Sequence, residues 1–154
     1  MIHHKILNSL KNPAWLSFLW LGISIGVAGI ATPVRFATTS LSREVAADIG
    51  RNVFVALNRV EIALLVGLLI LVRVTGRTRE YLFAGAALAL IVIIQSAWLL
   101  PELSMRADLV AAGQSPPESM AHSLYGALEI GKYALLLWIG FSGLGNSTAV
   151  SGAR

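Results

Sequence analysis

Four apolar runs dominate this sequence, each close to the length of about 20 residues at which a helix crosses a lipid bilayer. With their short connections they use up nearly all of the 154 residues and leave no room for a second domain. A soluble domain ordinarily has about a quarter of its residues charged. Here charged residues are 13%, hydrophobic residues 56%, and the mean hydropathy is +0.72. The expected fold class is all-α: an integral membrane, antiparallel four-transmembrane-helix bundle over 14–144, with an inner-side N-terminal tail (1–13) and a disordered C-terminal tail (145–154).

The formal charge of +4 and pI near 10.0 do not point to nucleic acid, because the twelve Lys and Arg are scattered between apolar runs and form no stripe. The absence of Cys excludes disulfides, thiolate metal sites and cysteine nucleophiles. His3, His4, Lys5 and Lys11 precede the first run, the layout of either a signal peptide or a first membrane helix. From Ala14 to Pro33 the run exceeds a signal-peptide core of about 7–15 residues, and no A-x-A-like site closes it, so it reads as a helix.

Along that first helix Gly22, Gly26, Gly29 and Pro33 fall on one side, suited to close packing on a neighbour or on a second copy of the chain. Trp15 and Trp20 near its start suit the membrane interface, with packing inside the bundle equally open for Trp20. Ser42 can cap a second helix, with Glu44 in its first turn, and nothing breaks it before Gly76. A helix over Ser42–Val72 exceeds a hydrocarbon core of about 30 Å, so its first turns project into water. Helix three runs from Glu80 through Leu100, kinks at Pro101 and continues to a stop at Gly113, so helices two and three both extend beyond the membrane on the outer side. Ser115 followed by Pro116, Pro117 and Glu118 reads as the start of helix four, which ends near Leu144. Trp98 and Trp138 are expected to face lipid or the interface.

Positive charge sets the orientation. Lys5, Lys11, Arg73, Arg77, Arg79 and Arg154 fall on one side of the four spans, and Arg35, Arg43, Arg51 and Arg106 on the other. The richer side is expected to be the inner one, with both termini inside and the two longer connections outside; in a bacterial inner (plasma) membrane that means cytoplasmic termini.

Charged groups within the spans are informative, because each costs about 2.5–3.5 kcal/mol at a helix centre even on insertion scales. On helix two Arg51, Asn58 and Glu61 stand at i, i+7 and i+10 and share one side. Helix four repeats the pattern with His122, Tyr125, Glu129 and Lys132, and helix three adds Gln95, Glu102 and Arg106. The three stripes predict one polar pocket open to the outer side. Arg51, Arg106 and Lys132 would be donors to a small anion, held by Glu61, Glu102 and Glu129, with Asn58, Gln95 and Tyr125 supplying hydrogen bonds and His122 at the helix start. Arg35 and Arg59 make its mouth net positive. The same charges can instead neutralise one another and fix helix register, and both readings stay open at this level.

Haem chemistry lacks ligands, since His3 and His4 lie in the inner tail and His122 at the outer edge. No G-x-S-x-G or H-E-x-x-H occurs, and no catalytic residue, metal or cofactor is expected.

The stretches Gln95–Ala107 and His122–Lys132 resemble a group of bacterial four-helix membrane proteins similar to the transmembrane-protein-two-hundred-and-five-like domain family. The layout agrees along nearly the full chain, and the family supplies no settled activity. Locally, Arg51, Asn58 and Glu61 resemble the R-x6-N-x2-E signature of the membrane-associated eicosanoid and glutathione metabolism proteins. That resemblance implies a trimeric four-helix enzyme that binds glutathione through those three residues. Phe54, Val55 and Ala56 depart from its pattern. The expected function is therefore a non-enzymatic binding, assembly or transport-associated membrane protein with an outward-facing polar pocket. Its partners would be the lipid bilayer, a small anionic ligand, and a homo-oligomer or larger membrane complex, with a glutathione-binding transferase as the alternative.

Overall fold

Asn12 opens the first helix by accepting a hydrogen bond from the Ala14 backbone N–H, and Pro13 stands in the first turn, where its missing N–H leaves no bond unmade. The computed structural model describes residues 12–76 and 79–151, with side chains as far as Leu144. Four helices account for it: α1 (Pro13–Ala37), α2 (Arg43–Val74), α3 (Arg79–Ala111) and α4 (Ala121–Ser151). Each contains a stretch long and apolar enough to cross a membrane, and no strand occurs among the described residues. Most of the inner tail lies outside the described residues, as do the expected inner-side cations Lys5, Lys11, Arg77 and Arg154.

The Ser42 side chain accepts from the Val45 N–H and starts α2 where its capping chemistry predicted, and the helix runs 32 residues, about 48 Å. Gly76 and Gly113 end α2 and α3 with φ of 60° and 72°, the left-handed turn that glycine adopts without a Cβ clash. Both prolines inside helices follow a wide turn. Ile25–Ala31 precedes Thr32-Pro33, and Gln95–Leu99 precedes Leu100-Pro101, each as π-helix. The Thr32 N–H reaches back to Val27 O and the Leu100 N–H to Gln95 O, so the chain is widened by one residue where proline cannot donate.

The start of α4 corrects the sequence expectation. Ser119, not Ser115, accepts from the Ala121 N–H, and Pro116 and Pro117 lie in the irregular connection before it. Its end is also later than expected: the backbone stays helical past Leu144 to Ser151, where a disordered tail had been anticipated, and 152–154 lie outside the described residues.

Trp20, Leu68, Leu88 and Leu136, one from each helix, are fully buried at the centre of the main apolar core. A second cluster of Leu99, Ala121 and Tyr125, with Phe54 and Leu103 against it, lies towards the α3–α4 connection. α1 and α4 approach closely because Gly140 leaves space for the Phe18 ring, and Asn12 Nδ2 donates to Gly143 O at 2.9 Å. The glycine side named from the sequence does not make such contacts within the chain. A Cβ at Gly22 or Gly26 would meet nothing within 4 Å, and one at Gly29 only Ile25 of its own helix. The outer surface is apolar, with Val66, Ile70, Phe83, Leu90 and Ile130 all exposed.

Candidate functional site

The polar residues of the bundle divide into two groups at different depths. The deeper group is built from all four helices. Glu61 projects from α2, Gln95 from the π turn of α3, and Glu129 and Lys132, one turn apart, from α4. Lys132 Nζ donates to Glu61 Oε1 at 2.5 Å, to Glu129 Oε1 at 2.6 Å and to Gln95 Oε1 at 3.4 Å, which engages all three ammonium hydrogens. Gln95 Nε2 in turn donates to Glu129 Oε1 at 3.0 Å. Two residues of α1 complete the set: Trp20 Nε1 and Ser24 Oγ donate to Glu61 Oε1 at 3.0 and 2.8 Å. Lys132, Glu61 and Gln95 are wholly buried. Each carboxylate keeps one oxygen crowded with donors, while its Oε2 is buried with no partner. Two carboxylates thus share one ammonium out of contact with solvent, where a charge persists only if paired and hydrogen-bonded.

The shallower group lines a cavity of about 320 Å³, within the usual range for small-molecule sites. Arg35 reaches it from the end of α1, Arg43 and Arg51 from the start of α2, Arg106 from the end of α3, and His122 and Tyr125 from the start of α4. No acidic residue lines it, and Phe36, Phe54, Leu100, Leu103 and Val110 give it apolar walls. Gly50 makes the placement of Arg35 feasible: a Cβ there would stand 2.5–2.8 Å from the guanidinium, which instead lies against the bare α2 backbone. The guanidinium also lies 4.8 Å from the Phe36 ring centroid. Arg51 is held by Asp48 at 2.7 Å and by Asp108, and Arg106 donates to the Pro117 carbonyl. Among the described residues Arg35, Arg43 and Arg106 have no carboxylate partner.

The single pocket expected from the stripes is therefore two sites. Arg51, Arg106, His122 and Tyr125 line the cavity, whereas Glu61, Gln95, Glu129 and Lys132 form the buried cluster and do not. Lys132 is consumed by carboxylates and is not a donor at the cavity, and Glu61 and Glu129 hold Lys132, not arginines. Asn58 lies between the groups and donates to Ser96 Oγ at 2.7 Å. Glu102 accepts from Ser119 Oγ, and Arg59 is exposed on α2; neither lines the cavity. Of the three residues of the glutathione-type signature, only Arg51 borders open space. Sequence reasoning left out Trp20 and Ser24 as partners of Glu61. The available signal was their spacing of four residues on one face of α1. It also left out Asp48 and Asp108, the carboxylates that hold Arg51. No group of three His, Cys, Asp or Glu among the described residues is arranged to hold a metal ion.

Comparison with family models, curated proteins and solved structures gives no match for this chain, so it bears on neither of the two resemblances.

Proposed function

We propose that the chain is an integral membrane protein of the bacterial inner (plasma) membrane, its four helices crossing antiparallel with both termini cytoplasmic, that binds a small anion in the outer cavity. Its role is non-enzymatic: binding, assembly or a transport-associated step. Four spans of sufficient length, an apolar exterior and the arginines Arg73 and Arg79 at the opposite end from the cavity support the membrane placement.

One observation carries the anion reading. Four arginines from three helices converge on a cavity that no carboxylate lines. Arginine presents several fixed N–H donors, and its hydrogen bonds to anionic oxygens are shorter and stronger than neutral ones. Apolar walls lower the local dielectric and strengthen the attraction.

Native mass spectrometry and calorimetry of the full chain in mild detergent test this with inorganic phosphate, sulfate and glutathione as titrants. Saturable phosphate binding that weakens with salt is the expected result, and Arg106→Ala should lower affinity by about tenfold, the loss of one charge-assisted hydrogen bond. The reading fails if no anion binds above background. A glutathione-loaded trimer with thiol transfer would replace it with the glutathione-enzyme alternative.

A further inference from the structure

Two features of the cavity go beyond a general affinity for anions: its charge balance and the course of its apolar wall. Arg35, Arg43, Arg51 and Arg106 line the cavity, and Asp48 and Asp108 both pair with Arg51 alone, so the lining keeps a surplus of positive charge. A phosphate monoester carries about −1.5 to −2 at neutral pH, with three outer oxygens as acceptors, and matches that balance more closely than a carboxylate with one charge and two oxygens.

Two residues lining the cavity also carry buried polar atoms without a hydrogen-bond partner, Arg35 Nε and the Tyr125 hydroxyl. They come from α1 and α4. The apolar part of the lining includes Phe54, Leu100 and Leu103. Phe36, at the end of α1, lines the cavity yet is 60% exposed. The apolar lining thus opens to the outer surface at Phe36, and a chain can leave the cavity past it.

We infer that the cavity is a lipid-head site that takes a single-chain phosphate monoester from the surrounding membrane, with its phosphate on the arginines and its acyl chain leaving past Phe36. The inference rests on the anion reading above and adds the class of ligand. A free phosphate compound offers the same head without the chain, so paired probes separate the two sources.

The full chain in phosphatidylcholine nanodiscs is titrated with oleoyl lysophosphatidic acid and with glycerol 3-phosphate, which share one head group. Lysophosphatidic acid should bind about tenfold or more tightly, because chain methylenes lie against apolar side chains. Arg35→Gln should remove most of that binding at unchanged melting temperature. Arg59→Gln, at an exposed arginine outside the cavity, should leave it unaltered. Equal affinity for the two probes overturns the lipid inference and leaves the anion site standing. Binding of neither overturns both readings. If Arg59→Gln weakens binding as much as Arg35→Gln does, attraction of the lipid is a property of the general surface charge and the site assignment falls.

Discussion

Lys132 shows what a buried cation does when its partners come from different helices. It ties α4 to Glu61 of α2 and Gln95 of α3, while Trp20 and Ser24 attach α1 to the same carboxylate. Removing the ammonium while leaving both carboxylates strands like charges in the interior, a loss on the order of 3–5 kcal/mol. Lys132→Met should accordingly lower the melting temperature in detergent by many degrees, and adding Glu61→Gln should recover part of it. An unchanged melt in the single variant would show that the cluster does not hold the bundle together. Gly50 works at the same scale with the opposite balance. Its missing Cβ matters only to the flexible end of Arg35, so the side chain can move aside at little cost to the fold. Gly50→Ala is expected to keep the melting temperature and to weaken phosphate binding several-fold, read by calorimetry, because Arg35 is displaced from the cavity.

At the scale of elements, the π turn before Pro101 does two things at once. It absorbs the missing N–H of the proline, and it contains Gln95, which reaches both Lys132 and Glu129. Without the extra residue, Gln95 and the arginine-bearing end of α3 would differ in register by about 100°. Pro101→Ala restores the N–H and removes the steric reason for the wide turn. Hydrogen exchange should then show stronger protection across 96–101, together with weaker anion binding as Arg106 turns away from the cavity. If protection there is unchanged, packing of Gln95 alone maintains the turn.

The molecule as a whole exposes apolar side chains over its outer surface and keeps its ion cluster within. In lipid the apolar core supplies little net attraction between helices, so close approach and interhelical hydrogen bonds take a larger share of the stability. Gly140 against Phe18, Asn12 on Gly143 and the Lys132 cluster are contacts of that kind. The cysteine-free sequence gives a clean test of orientation. A single cysteine at Gln114 in the α3–α4 connection should react with an impermeant maleimide on intact spheroplasts, and one at Thr75 only after lysis. The reverse pattern would invert the proposed topology and place the cavity on the cytoplasmic side.

Helix number, the Ser42 cap, the Gly76 and Gly113 stops and the distortion at Pro101 were legible in the sequence, because each depends on local chemistry or on the length of an apolar run; the end of α1 was not, since the helix expected to stop at Pro33 continues through a π turn to Ala37. The 3.6-residue period also placed Arg51, Asn58 and Glu61 on one side of α2, and His122, Tyr125, Glu129 and Lys132 on one side of α4. Periodicity gives direction around an axis but says little about which groups meet along it. Arg51 and Glu61 are separated by about 15 Å of rise, so one stripe reaches both an arginine-lined cavity and a buried ion cluster. Only the tertiary structure decided that division, since the partners of Glu61 on α1 and of Arg51 on α3 come from segments distant in sequence. It also decided which glycines pack: Gly50 and Gly140 face neighbouring helices while Gly22 and Gly26 do not, because close approach depends on how the helices are rotated against one another.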